Sequence, residues 1–430
     1  MTRSPFESPV TARKTAAVFR RAVRDRFRPH DRRNHSPSEL LLVHPSAELY
    51  GSDRVFLESV RALTGAGHRV LVVLPQQGPL VPYLRRTGAR VHRCPTAVLR
   101  KSVLHPTGLL GFLRDGLVAL PAMLRLLSRR YAAVYISTIT VPTWTLLAAA
   151  LGHRVVTHVH EAEDTQPLPV RVGLTLPLLA SRGVVVNSRA AASVLHRAIP
   201  RLRDRTSVVY NGVAGPEPLH VDTRSTRPRR LVLVGRLSPR KGTDTAVRAL
   251  ALLRERGHPV TLDLIGSVFD GYEWFEREIE RLIRAHGLSD SVRLHGFDSD
   301  VWHHYAEADI ALVPSRFEPF GNTAVEAQLA GLPVVVTDVQ GLPETVGDGS
   351  RGHIVGADDP AALADGVERL LVDWPGALEL AEHARHEAAA LFAPERYHDS
   401  LRKTIDELIA PETDGRRVPR RALRVRRRTR

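Results

Sequence analysis

Short aliphatic runs, each closed by a polar or glycine-containing turn and followed by a helical pattern, recur along this 430-residue chain in two series. The first comprises residues 40–44, 69–74, 132–137, 154–160, 183–187 and 207–210. The second begins at Leu231 and continues through 260–265, 292–296, 309–313 and 333–337. Runs that are apolar nearly throughout belong to strands covered on both faces, as in a parallel sheet. Strands alternating with helices in this way predict an α/β fold built of two doubly wound domains. With 43% hydrophobic residues, the chain has enough core material for both. The stretch 213–229, with Gly215, Pro216, Pro218 and Pro228, reads as the linker between them.

The turns of the second series carry the chemistry. A strand ending at Val234 is followed by Gly235-Arg236 and then by Pro239-Arg240-Lys241-Gly242 before a helix begins. In an open α/β sheet, ligands bind beyond the carboxyl ends of the strands, so Arg236 and Lys241 fall where an anion is held. Arginine engages phosphate oxygens through a planar fork and lysine through a point charge, and Lys241 is one of only four lysines in the chain. A second strand–turn–helix unit contains Glu318-Pro319-Phe320-Gly321-Asn322-Thr323-Ala324-Val325-Glu326. A helix start offers free N–H groups to a phosphate or a polar sugar edge. Two ionised carboxylates that bracket it can accept hydrogen bonds from hydroxyls of two sugar rings. Solvated surface acids and a solvated loop lysine are the plainer account of the same residues.

Taken together, these motifs resemble glycosyltransferase family 4: Gly235-Arg236 with Lys241-Gly242, Glu318 and Glu326 with seven residues between them, and Gly331-Leu332-Pro333-Val334-Val335. In the first half, Tyr50-Gly51-Ser52-Asp53-Arg54 is similar to the family's acceptor-side loop and His158-Val159-His160-Glu161 to its strand-end histidine motif. Val185-Val186-Asn187-Ser188 and Tyr210-Asn211-Gly212-Val213 are similar to the segments leading to its linker. The resemblance covers roughly residues 38–410. It implies two Rossmann-like domains facing across a cleft, the GT-B fold, and a retaining transfer from a nucleotide-sugar donor. The implied division is a basic extension over 1–37, an acceptor-side domain over 38–212, the linker over 213–229 and a donor-binding domain over 230–392. A crossover helix over 393–410 and an Arg-rich tail over 411–430 complete it.

The resemblance also implies roles. Arg236, Lys241 and the N–H groups near Gly321, Asn322 and Thr323 contact the donor diphosphate, with Gly235 and Phe320 in the same motifs. Glu326 binds ribose hydroxyls and Glu318 those of the transferred sugar. Gly51 lets the first-domain backbone approach, and His160 faces the anomeric centre. No cofactor and no metal are expected, and Glu161 is not assigned as a nucleophile, because neighbours at a strand end point to opposite faces. Two departures stand out: Tyr50-Gly51-Ser52 replaces a double glycine, and Asn322 follows Phe320-Gly321. The acceptor is expected to be a carbohydrate or lipid-linked, in surface polysaccharide or glycolipid synthesis.

The net charge of +15 sits at the ends. Residues 1–40 hold ten Lys/Arg against four Asp/Glu and residues 416–430 hold nine Arg with no acid, so the stretch between is neutral. Residues 14–29 pattern as a basic amphipathic helix of the kind that settles on anionic lipid. Solvated tails are the plain alternative, and nucleic acid is disfavoured because the tails lack interleaved aromatics. Residues 109–127, apolar except for Arg114, Asp115 and Arg125, read first as a buried helix and second as a membrane-docking one. One cysteine excludes an internal disulfide. No secretory signal or spanning helix is expected, which places the protein in the cytoplasm, peripheral on the inner face of the membrane. A phosphorylase or epimerase on the same fold, and a catalytically silent carbohydrate-, membrane- or nucleic-acid-interaction protein, are the competing readings.

Overall fold

The computed structural model describes residues 39–162, 164–216, 229–269 and 271–410. The basic extension, the Arg-rich tail and most of the linker lie outside the described residues. Two parallel sheets organise the rest. The first has seven strands: β1 (Glu39–Val43), β2 (Arg69–Leu74), β3 (Arg90–Arg93), β4 (Ala133–Ile136), β5 (Val155–Val159), β6 (Gly183–Val186) and β7 (Thr206–Val208), in the order β3-β2-β1-β4-β5-β6-β7. The second has six: β8 (Arg230–Val234), β9 (Thr261–Ile265), β10 (Val292–Gly296), β11 (Ile310–Val313), β12 (Val334–Thr337) and β13 (His353–Val355), in the order β10-β9-β8-β11-β12-β13. The central strands are apolar along their length because helices cover both faces: Leu40 and Leu42 pack on one side and Leu41 and Val43 on the other.

Both orders reverse direction once, between β1 and β4 and between β8 and β11. At such a switch point the helices following the two strands lie on opposite faces and leave a crevice at the strands' carboxyl ends. The loops beyond the two sets of carboxyl ends touch one another. Ser188, after β6, donates to the Pro319 carbonyl at 2.6 Å, and Gln340 Nε2 donates to the Ala162 carbonyl at 2.8 Å. Glu344 crosses the gap to accept from the Arg189 and Ala190 N–H groups at 3.0 and 2.7 Å and from Tyr210 OH at 2.9 Å. It supplies an acceptor for orphan donors at the start of the helix Arg189–Ala198.

The last helix, Pro394–Ile409, returns to the first domain. Tyr397, Leu401 and Ile405 enter the same core as the helix Gly51–Gly65, and Tyr397 OH lies 2.6 Å from Ser59 Oγ.

The buried-helix reading of 109–127 is corrected. The helix Pro106–Leu127 buries Ala119, Met123, Leu124, Leu126 and Leu127, yet Leu110 and Leu117 are 67% and 69% exposed, and Leu109, Leu113 and Val118 are exposed with them. Burial over the sheet begins only at Ala119; before it Gly108, Phe112 and Gly116 are half-buried, and the opposite face is left as an uncovered apolar ridge. Among the described residues no helix is long and apolar enough to cross a membrane.

Candidate functional site

The switch point of the second sheet carries the residues that the sequence assigns to the donor. β8 ends at Val234, and Gly235 follows with φ +144°, a setting that L side chains rarely adopt. The turn sends Arg236 across to the first domain, where its guanidinium lies 4.3 Å from the ring centre of Tyr50. The Phe269 ring centre is 4.8 Å away. Two aromatic rings hold this cation, and its Nε is buried without a hydrogen-bond partner among the described residues.

Lys241 closes the next turn. Gly242, at φ +66°, starts the helix Thr243–Glu255, and a Cβ there would fall 1.9 Å from the Pro314 carbonyl oxygen. Lys241 Nζ is ion-paired with the Glu318 carboxylate from the loop after β11. The cation assigned to the diphosphate and the carboxylate assigned to the sugar are thus one pair, 23% and 13% exposed as side chains.

Gly321, at φ +107°, turns that loop into the helix Asn322–Leu329, and a Cβ there would lie 2.5 Å from Leu342 Cδ2. The first N–H groups of the helix, those of Asn322 and Thr323, have no carbonyl four residues back to accept them. One turn in, Glu326 Oε2 accepts from Tyr305 OH at 3.3 Å. Burial pushes the Glu326 carboxyl above its ordinary range, against the opposing fields of Arg54 and Lys241. The Phe320 ring is buried with Val213, Val325 and Phe392, so its contact with a ligand is confined to its main chain.

From the first domain, Gly51 opens the helix Gly51–Gly65, and a Cβ built on it would stand 3.6 Å from Asn322 Nδ2. The domains meet here with no side chain of residue 51 between them. Asn211 Nδ2 donates to Asn322 Oδ1 at 2.9 Å and Arg54 donates to the Ser299 carbonyl at 2.7 Å, so contacts on either side hold the approach.

His160 follows β5, with Nε2 3.3 Å from Ser137 Oγ. Burial pushes the His160 imidazole down to about 3, so the ring is neutral at physiological pH. Glu161 turns the other way, to the Thr138 hydroxyl and the His160 N–H. Burial raises its pKa.

Among the described residues one group has metal-ligand geometry: Asp298, His303 and His304, whose ligand atoms all lie within 4.8 Å of one another. It stands on the segment after β10, beside the Arg54–Ser299 contact, rather than among the donor-side residues.

Residues 220–412 match the family profile described as glycosyl transferases group 1, and residues 50–214 match the profile of glycosyltransferase family 4. The chain belongs to glycosyltransferase family 4. Among curated family relatives, a D-inositol 3-phosphate glycosyltransferase of Catenulispora acidiphila is 34% identical over 53% of this chain and 56% of its own length. The glycogen synthase of Mycobacterium tuberculosis is 33% identical over 43% of this chain and 44% of its own. The chain thus spans about half the length of these relatives. Among solved structures, Anabaena HepE in complex with UDP and glucose superposes with a TM-score of 0.73 at 21% identity, covering 86% of this chain and all of that one. Sucrose-phosphate synthase from Thermosynechococcus elongatus gives 0.71 at 23% identity, covering 86% and 98%. These two establish a shared two-domain GT-B architecture.

Against that family background, three features of the cleft carry no mark in the motifs: the Tyr50 platform under Arg236, the Asn211–Asn322 bond, and the buried set His44, Asp53 and Ser137 behind His160. Asp53 alone had a local signal, an acid three residues after the residue that precedes a helix, which is the spacing of a capping box.

Proposed function

We propose that this chain is a retaining glycosyltransferase that moves a sugar from a nucleoside-diphosphate sugar to an acceptor. One observation carries the reading: Arg236, the Lys241–Glu318 pair and the first N–H groups of the helix Asn322–Leu329 converge opposite a glycine, Gly51, of the other domain. Fixed cations and helix-end dipoles aimed at a leaving diphosphate stabilise charge as it develops, without reorganisation. Lys241 leaves Glu318 for the diphosphate when the donor enters, which frees the carboxylate for the sugar hydroxyls. Glu326, against Tyr305, takes the ribose hydroxyls. His160, neutral, presents a lone pair or an N–H near the anomeric carbon rather than a second positive charge beside the oxocarbenium-like centre. The leaving phosphate helps to deprotonate the acceptor on the same face, so no protein nucleophile and no metal are needed.

HepE is held with UDP and with UDP-glucose in its solved complexes, which makes uridine donors the first to try. The acceptor is a carbohydrate or a lipid-linked one, delivered at an anionic membrane face. The exposed ridge of Leu110, Leu113 and Leu117, with Arg114 on the same helix and Arg100 and Arg129 flanking it, supports that placement. A thermal-shift screen against UDP, GDP, ADP, CDP and dTDP and their sugar conjugates tests the donor reading. Stabilisation by one nucleotide series, lost in Arg236→Ala and Glu326→Ala, is expected; no stabilisation by any series refutes it.

A further inference from the structure

We infer that Asp53, His44 and Ser137 form a buried hydrogen-bonded chain that sets the tautomer of His160, so that His160 Nδ1 meets the substrates as a hydrogen-bond acceptor. This rests on the reading of His160 as a group at the reacting centre. The chain comes from sheet order. β1, β4 and β5 are neighbours, and His44 and Ser137 each stand one residue beyond the paired Val43 and Ile136. Asp53 reaches the same spot from the first turn of the helix Gly51–Gly65. His44, Asp53 and Ser137 are each about 1% exposed, so water does not supply alternative partners.

The direction of each link follows from the acid at one end of the chain and a single proton on His44. An ionised Asp53 carboxylate only accepts: Oδ2 takes the Tyr50 N–H at 2.9 Å, and Oδ1 lies 2.8 Å from His44 Nε2, which therefore carries a proton. The proposal gives His44 that one proton only, so its Nδ1 is a lone pair and accepts from the Ser137 hydroxyl, 3.2 Å away. Ser137 Oγ, its proton used, accepts from His160 Nε2 at 3.3 Å. His160 is then the Nε2–H tautomer, and Nδ1 is left as a lone pair. That atom is buried and has no hydrogen-bond partner among the described residues. A buried acceptor without a partner costs free energy unless a ligand supplies the donor, and a sugar or acceptor hydroxyl is the donor at hand. Stacking of the His44 ring on Phe56, with ring centres 4.3 Å apart and 8° between planes, fixes the ring that relays the polarity.

His44, Asp53 and Ser137 are positioning residues in this scheme. Asp53→Asn reverses it without removing a contact: the amide oxygen still accepts from Tyr50 N–H, while the NH₂ donates to His44 Nε2. His44 Nδ1–H then donates to Ser137, Ser137 donates to His160 Nε2, and His160 Nδ1 becomes an N–H. The experiment records ring-nitrogen NMR spectra of the full-length protein labelled with ¹⁵N-histidine, with the His160 signals identified by their loss in His160→Gln. The expected result is the Nε2–H form in the wild type, the Nδ1–H form in Asp53→Asn, a mixture in Ser137→Ala, and recovery of the wild-type form in Ser137→Thr. Turnover should fall about tenfold to a hundredfold in Asp53→Asn with donor affinity unchanged, the loss of one hydrogen bond made in the transition state. An unchanged His160 tautomer in both Asp53→Asn and Ser137→Ala overturns the chain. The tautomer is read without turnover, so a wild type that transfers no sugar refutes the transferase reading and not the chain.

Discussion

Replacing Lys241 by methionine keeps the aliphatic stem and deletes the ammonium, which separates two roles that the structure combines in one ion pair. Glu318 is left as a carboxylate with 13% of its side chain exposed and no cation against it. Removing one partner costs up to about 1 kcal/mol for an exposed pair and about 3–5 kcal/mol for a fully buried one. This pair lies between those limits, so a loss of about 2 kcal/mol is expected, or a fall of about 4–8 °C in melting for a domain of this size. If Lys241 also stabilises the departing diphosphate, turnover falls by about 10²–10³, as for deletion of one fixed donor at a developing charge. The double variant Lys241→Met, Glu318→Gln removes the stranded charge. It should recover most of the melting temperature and none of the turnover, measured as nucleoside diphosphate released from the donor. Recovery of turnover in the double variant would refute the reasoning, because Lys241 would then matter only as the counter-ion of Glu318.

Gly51→Ala places a methyl 3.6 Å from Asn322 Nδ2, an ordinary contact, so melting should stay within about 0.5 kcal/mol of wild type. The methyl fills the space left for the donor, and donor KM should rise about tenfold to a hundredfold. Tyr50→Ala removes one of the two rings that hold Arg236 and should weaken nucleotide binding by about 1–2 kcal/mol in calorimetry. Glu326→Gln should abolish nucleotide binding yet raise the melting temperature of the free protein. Burial holds the Glu326 carboxyl above its unfolded value, so the folded state binds that proton more tightly and ionisation costs stability as pH rises from the unfolded value through the folded one. The gain in melting temperature should therefore be larger at pH 7 than at pH 4. Leu110→Ser with Leu117→Ser should leave melting unchanged, both side chains being more than 60% exposed, and weaken binding to anionic vesicles by about tenfold or more in a flotation assay.

The interior strands were legible because burial on both faces leaves an unbroken aliphatic run, as in Glu39–Val43 and Val334–Thr337. Both strands absent from the sequence reading, Arg90–Arg93 and His353–Val355, are sheet edges. An edge strand is paired on one side only, and Arg90–Arg93 is mostly exposed, so neither presents an aliphatic run. The helix Pro106–Leu127 was misjudged because apolar content reads the same whether a face is covered by protein or left bare. Around the candidate site, the loops that follow β8 and β11 were legible in the sequence: Arg236, Lys241 and Glu318 stand on them, and Glu326 stands on the helix that the second loop opens. His44, Ser137 and His160 were not legible as a set. They become neighbours because β1 lies beside β4 and β4 beside β5, although two strands intervene in sequence between the first two. Among twenty histidines, nothing local distinguishes His44. The pairing of Lys241 with Glu318 and the stacking of Tyr50 on Arg236 likewise depend on how the switch points and the two domains meet.

The most direct test of the donor cleft is to incubate the full-length protein with each sugar nucleotide and record released nucleoside diphosphate together with the anomeric configuration of the product by ¹H NMR. Transfer or slow hydrolysis from one nucleotide series, with the donor's anomeric configuration retained and the signal lost in Arg236→Ala and Glu326→Ala, is the predicted result. An inverted product, or release that survives both substitutions, would contradict the account.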